Sequence, residues 1–409
     1  MSERTLLFVA PQSAPFGETV LGMRIADELH ARGDQIVLFA HESLAILVKG
    51  RPFRFVPVPE GARVGEAIAA MGAELQAAAI VLLDATGVYM LLKREGTDAT
   101  FLRTVGRRVI GLDVWNLRRT GLAWDLAGST WQHSKYSLDV HRRLIPVPFA
   151  APSGTKGLYD ALPPAPEIDE AERAELRADL GVRDEDRLVL FTSARWQEPA
   201  SQADEIGKRL ASLFPSFVAE RLAQAGERVH VLHVGPTRMP FDEKIGDRYT
   251  WLPQRAPQRF AKMLAAADVL LSFNFSATTI ASAIAGGIPV LLGVSSHAGK
   301  TADSIAARLP TPPSPFLRTW LEAATPLPAF RVWPLGLFNF LAPLAKNNPY
   351  TTAVETAELF DEPAFDEALR RMIFDDDARS ALRARQAKYR AEVQALPKAS
   401  ELVETYLES

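Results

Sequence analysis

Residues 249–292 set several chemically useful side chains at close intervals. Trp251-Leu252-Pro253-Gln254 ends a short apolar run, and the flat face of an indole there suits stacking on a planar ring such as uracil or thymine. An amphipathic helical pattern and a second apolar run, 269–273, follow. Next comes a polar turn containing Ser276, Thr278 and Thr279, and then a helix of small residues ending in Gly286-Gly287-Ile288-Pro289. A strand, a hydroxyl-rich turn and a helix opening on that turn bring free backbone N–H groups and a positive dipole end to one point, which is how proteins hold phosphate. Upstream, the run 188–193 leads into Ser193-Ala194-Arg195. Ser193 offers a hydroxyl and a backbone donor, and Arg195 a planar fork that matches phosphate oxygens, although a surface salt bridge would use the same arginine.

The first part of the chain offers carboxylates instead. Asp84 and Asp113 each follow an apolar run, where open α/β sheets collect their ligands, and where an acid also serves as a plain turn cap. His41 has a similar place, while His133 and His141 lie in a mixed polar stretch. The first run opens into Pro11-Gln12-Ser13-Ala14-Pro15-Phe16-Gly17-Glu18, with one glycine where a dinucleotide fingerprint needs three. NAD and FAD are therefore not expected, and no other cofactor is called for.

These motifs resemble the GT-B glycosyltransferases of the antibiotic and plant-metabolite type. In that family W-x-P-Q packs on the nucleotide base, and a P-x-x-G-H loop leads into a helix ending L-x-x-R-G. Here Gly17 matches the loop glycine, and Ala26, Leu29, Arg32 and Gly33 fall in register with the helix and its end. Glu18 replaces the histidine that deprotonates the acceptor. A carboxylate can do that work when partial burial raises its pKa, though an acid in a first helical turn is also favoured by the dipole alone. The resemblance implies that Ser193, Arg195, Trp251, Pro253, Gln254 and the Ser276, Thr278, Thr279 turn hold a UDP or dTDP sugar.

The chain departs from the family at Asn274, which stands for a histidine, and at Ser282, which stands for the glutamate that grips the ribose. His297 and Lys300 occupy the place of the pair that reads the sugar hydroxyls, and would suit an acidic sugar or an extra phosphate contact. The expected activity is metal-independent transfer of a sugar, with inversion, to a small-molecule or natural-product acceptor. Two alternatives remain open: a GT-B enzyme of altered chemistry, such as an epimerase, and a catalytically silent partner protein.

Short apolar runs must position these groups. They lie at 5–10, 35–40, 53–58, 80–84, 108–112 and 130–133, and again at 188–193, 230–234, 249–251, 269–273 and 289–293. Near-continuous runs separated by helical patterns indicate parallel sheets covered on both faces. Two such series in 409 residues predict an α/β chain of two Rossmann-like, doubly wound domains facing across a cleft. The expected division is an acceptor domain at 1–150, a linker at 151–168, a nucleotide-donor domain at 169–390 and a helix at 391–409 returning to the first domain. Residues 145–168 hold six of the 29 prolines and cannot form a continuous helix.

Composition narrows the classes further. Apolar content of 47% with 23% charge is that of a folded globular chain, and a net charge of −3 argues against nucleic-acid partners. The chain has no cysteine, which excludes disulfides and thiolate chemistry, and its seven histidines show no metal-binding spacing. No run approaches a membrane span, and the start lacks a signal-peptide layout, so a cytoplasmic location is expected.

Overall fold

The computed structural model describes residues 4–12, 16–98, 101–105, 107–114, 123–126, 129–132, 140–146, 156–202, 204–253, 255–275, 277–327 and 348–409. The chain divides into two compact units. The first comprises residues 1–123, 132–162 and 392–409, and the second 124–131 and 163–391.

The first unit is built on seven parallel strands. They are β1 (Thr5–Ala10), β2 (Gln35–Ala40), β3 (Arg54–Pro57), β4 (Ala79–Leu82), β5 (Arg108–Leu112), β6 (Arg142–Pro146) and β7 (Leu158–Tyr159). Their order is β3-β2-β1-β4-β5-β6-β7. Leu6 to Ala10 and Ala79 to Leu82 are fully buried, as a sheet covered on both faces requires. Helices α1 (Phe16–His30), α2 (Val64–Glu74) and α3 (Ala85–Arg94) connect the central strands. Two strands lie where the sequence shows no apolar run: 142–146, which opens on two arginines and runs into the proline-rich stretch, and 158–159, inside that stretch. The run at 130–133 does not join this sheet. Ser129–Gln132 pairs instead with Ala123–Leu126 in a separate two-stranded sheet, and His133 lies outside the described residues.

The second unit repeats the plan with β8 (Arg187–Thr192), β9 (Val229–Val234), β10 (Tyr249–Leu252), β11 (Val269–Ser272), β12 (Val290–Val294) and β13 (Glu355–Glu358), in the order β10-β9-β8-β11-β12-β13. All pairings are parallel. Its core is aromatic: Phe214 meets Phe273 edge-on at 5.0 Å, and Phe217 packs on Trp320 at 5.4 Å. Each such fully buried phenylalanine contributes about 1.5–3 kcal/mol through area removed from water.

Two helices matter for the site. The first is α4 (Thr278–Gly286), which ends at Gly287 with φ +66. That left-handed conformation suits glycine and turns the chain sharply into β12. The last carbonyls of α4 are then capped from α5 (Asp376–Gln394). Arg390 donates to Ile284 O and Ala285 O at 3.1 and 3.0 Å, and Arg383 donates to Gly287 O at 3.2 Å. Cations at a helix C-terminus complement its dipole. Among the described residues, no helix is long and apolar enough to cross a membrane.

Candidate functional site

Parallel strands all end on the same edge of their sheet, and both units carry their candidate residues there. In the first unit, Asp84 directly follows β4 by two residues and caps α3, its side chain accepting from Gly87 N–H at 2.8 Å. Gln12, after β1, donates from Nε2 to Gly87 O at 2.8 Å, tying the two turns together. Glu18 sits in the first turn of α1. Burial, and then the charge of Asp84, push the Glu18 carboxyl up to about 7. Asp84 is also raised by burial, against the opposing pull of hydrogen bonds from the Gly87 and Thr86 backbone. The result is a pair of interacting carboxylates. Asp84 is held by N–H donors at a helix N-terminus, where negative charge is favoured, and Glu18 is poised to gain or lose a proton near neutrality.

The other first-unit candidates do not join this pair. Asp113 is 5% exposed and bound to Arg143 Nη1 at 2.6 Å, with its backbone N–H donating to Leu144 O, so it fastens β5 to β6. That ion pair is the physical reason against its role as a base: its charge is already matched by a fixed cation. His41 caps the short helix Glu42–Leu47, accepting from Ser43 N–H at 3.2 Å. His141 Nδ1 accepts from Val109 N–H at 3.1 Å. Gly17 lies in the first turn of α1, and residues 13–15 of its loop lie outside the described residues.

In the second unit the ends of β8, β9 and β10 interlock. Ser193 N–H donates to Val234 O and Gly235 N–H to Leu252 O, both at 3.2 Å. The half-buried Trp251 donates from Nε1 to Gly235 O at 3.1 Å and packs partly on the core, so its ring is held at the edge. Pro253 is exposed next to it, and Gln254 lies outside the described residues. Arg195 opens a short turn after Ser193, is exposed, and has no ion-pair partner among the described residues.

Helix α4 begins at Thr278, and its N-cap Ala277 supplies no side-chain acceptor to the first-turn N–H groups. Among the described residues Thr279 Oγ1 is buried with no hydrogen-bond partner; Ser276 lies outside the described residues. Ser282, where the resembled family has its ribose-binding acid, donates within the helix to Thr278 O at 3.4 Å. Beyond β12, His297 N–H donates to the buried Ser295 Oγ at 3.2 Å and its ring tilts against Phe360. Lys300 is exposed and has no ion-pair partner among the described residues.

One residue of this edge escaped the sequence reading. His233 is fully buried inside β9, with Nε2 2.8 Å from Ser193 Oγ and Nδ1 2.8 Å from Tyr249 Oη. Burial pushes it down to about 3, so the ring is neutral. Within an otherwise apolar run a histidine reads as core. Its signal is the register that sets it opposite Trp251 and beside Phe191.

The family model of DUF6365, a family of unknown function, matches residues 25–409. The chain belongs to DUF6365. The match opens inside α1, so Glu18 precedes it, whereas Asp84 and all the second-unit candidates fall within it. No curated protein matches the sequence. Among solved structures, Anabaena HepE in complex with UDP and glucose is similar with a TM-score of 0.59 at 12% identity, over 99% of this chain and 100% of that one. The spinosyn rhamnosyltransferase SpnG, complexed with spinosyn aglycone, gives 0.53 at 14% identity over 98% and 100%. WaaG, a glycosyltransferase of lipopolysaccharide biosynthesis, gives 0.51 at 15% over 96% and 97%. At these identities the likeness is one of fold, and that fold is GT-B.

Proposed function

We propose that this protein is a glycosyltransferase that moves a sugar from a UDP or dTDP donor to a hydroxyl of a small-molecule acceptor. The observation that carries the reading is the edge of the second sheet. There Trp251 and Ser193 are joined through the Gly235 turn, the exposed Arg195 has no ion-pair partner among the described residues, and the N-terminus of α4, without a side-chain cap, follows the neighbouring strand. A stacking ring, a hydroxyl, a guanidinium and helix N–H groups are what a nucleoside diphosphate needs.

In this reading Glu18 removes the acceptor proton as the acceptor oxygen attacks the anomeric carbon and the bond to the diphosphate breaks. Asp84 keeps Glu18 basic enough for that role. The departing diphosphate is stabilised by the donors of Ser193 and the α4 N–H groups and by the positive charges of Arg195 and Lys300. Direct in-line attack inverts the anomeric centre.

A second reading, a catalytically silent GT-B partner, is favoured by Ser282, whose hydroxyl is committed to its own helix. One experiment separates the two. Thermal melts with UDP, dTDP and their sugars should rise by mass action, about 2.7 kcal/mol of stabilisation at a hundredfold excess over Kd. Sugar-dependent release of the nucleotide should accompany the shift. No shift with any nucleotide ends the donor assignment; a shift without turnover over a broad acceptor panel selects the silent partner.

A further inference from the structure

The contact between Ser193 and His233 continues inward. Tyr249 Oη, 2.8 Å from His233 Nδ1, also accepts a hydrogen bond from Met239 N–H at 3.2 Å. Among the described residues these are its hydrogen-bond neighbours, and Met239 N–H is a donor. The phenol proton therefore has one acceptor, His233 Nδ1. The opposite assignment, with Nδ1 protonated, strands a buried phenol proton, which is costly. A neutral imidazole accepting at Nδ1 carries its proton on Nε2, and that N–H then donates to Ser193 Oγ. Rings of Phe191, Phe241 and Tyr249 lie within 5.2–6.1 Å of the imidazole, keeping it dry and uncharged.

We propose that Met239, Tyr249 and His233 form a relay that fixes the Ser193 hydroxyl as an outward hydrogen-bond donor, selecting an acceptor-only oxygen, such as a diphosphate oxygen, at this point of the site. Ser193 receives a hydrogen bond from within, so its own proton is left for a ligand. The relay exists because position 235 is glycine. A Cβ there would come within 2.1 Å of Ser193 Oγ and 2.6 Å of His233 Nε2, far inside contact distance. The tautomer also argues against a nucleophilic serine, since a ring nitrogen that already bears a proton cannot take one from Ser193. His233 and Tyr249 are thus positioning residues. The diphosphate part of the inference rests on the donor reading above; the direction of the relay does not.

The test uses the full chain, with UDP as probe. Calorimetry on the wild type, Ser193→Ala, Tyr249→Phe and the double variant should show UDP affinity falling about tenfold for Ser193→Ala and about threefold for Tyr249→Phe, on the scale of one hydrogen bond to a charged ligand. The double variant should be no weaker than Ser193→Ala, because Tyr249 acts only through the serine proton. Additive losses would mean that Tyr249→Phe merely loosens the fold, and would overturn the relay. Histidine 15N spectra, with the His233 signals assigned by their loss in His233→Asn, should show the proton on Nε2 in the wild type. A proton on Nδ1 would overturn the relay whatever UDP does. Failure of the wild type to bind UDP, with Nε2 protonated, would sink the diphosphate assignment and the donor reading while upholding the direction of the hydrogen bonds.

Discussion

In the first sheet the turns after β1 and β4 bring two carboxylates, Glu18 and Asp84, to the carboxyl edge. In the second sheet the turn after β8 brings a hydroxyl and a guanidinium, and β9 and β10 themselves bring a neutral imidazole and an indole, to the corresponding edge. The six strands they share follow one order. In both, helices open at that edge and present positive dipole ends. The first unit answers that field at α3 with Asp84, whereas in the second the N-terminus of α4 has no side-chain cap. Topology thus fixes where a ligand meets the sheet, while the side chains decide its charge. In the proposed reading, the edge holding two carboxylates takes the neutral hydroxyl acceptor and the other takes the diphosphate.

The largest effect expected from this contrast is at Glu18. Glu18→Gln should lower turnover by about 10²–10⁴ and leave UDP affinity unchanged, and wild-type turnover should fall as pH drops below about 7. Stability should move the other way. The folded carboxyl titrates near 7 against an ordinary value of 4.5, so between those values the folded chain binds more protons than the unfolded one. Stability from this source falls as pH rises through that window and is lowest above it. Glu18→Gln should therefore melt higher than the wild type at pH 8. A variant that keeps its turnover would remove Glu18 as the base and make Asp84 the residue to examine.

A smaller effect is expected on the other edge. Trp251→Ala should weaken UDP binding about tenfold, the scale of one stacking contact, with turnover at saturating donor less affected. Equal affinity in calorimetry would move the nucleotide elsewhere and dissolve the contrast. The smallest is at Arg195, which is exposed without an ion-pair partner. Arg195→Ala should leave the melting temperature of the free protein unchanged and weaken UDP several-fold more than uridine, as a phosphate contact requires. Equal losses for the two ligands would make Arg195 a general surface charge.

The central strands were legible because parallel strands buried on both faces read as uninterrupted apolar runs. The expected run at 108–112 coincides with β5, and those at 5–10 and 35–40 with β1 and β2. What escaped has a common cause. The strand Glu355–Glu358 carries two acids at a sheet edge, and Arg142–Pro146 begins with two arginines, so neither shows the apolar signature. Site residues with unusual neighbours in sequence, such as Trp251 before Pro253, stood out. His233 and Tyr249 did not, because their roles depend on the register of three strands and on the space left by Gly235, which no local pattern displays. Asp113 looked like Asp84 in sequence; only the arriving Arg143, thirty residues later, separates the ion-paired Asp113 from the helix-capping Asp84.

The first unit is closed by the last helix of the chain, Ala399–Glu408. Arg4, ahead of β1, is shared between the carboxylates of Asp34 and Glu404, the latter 400 residues away. Lys398 Nζ reaches the buried Asp160, and Tyr406 Oη donates to Arg143 O. During synthesis these partners emerge only after the second unit's residues 163–391. The sheet that begins the chain must wait, incomplete along this face, while the whole second unit is made and folds. A chain cut before residue 392 would keep the residues of the second unit and leave the first without the helix whose carboxylate and phenol hold Arg4 and the Arg143 carbonyl.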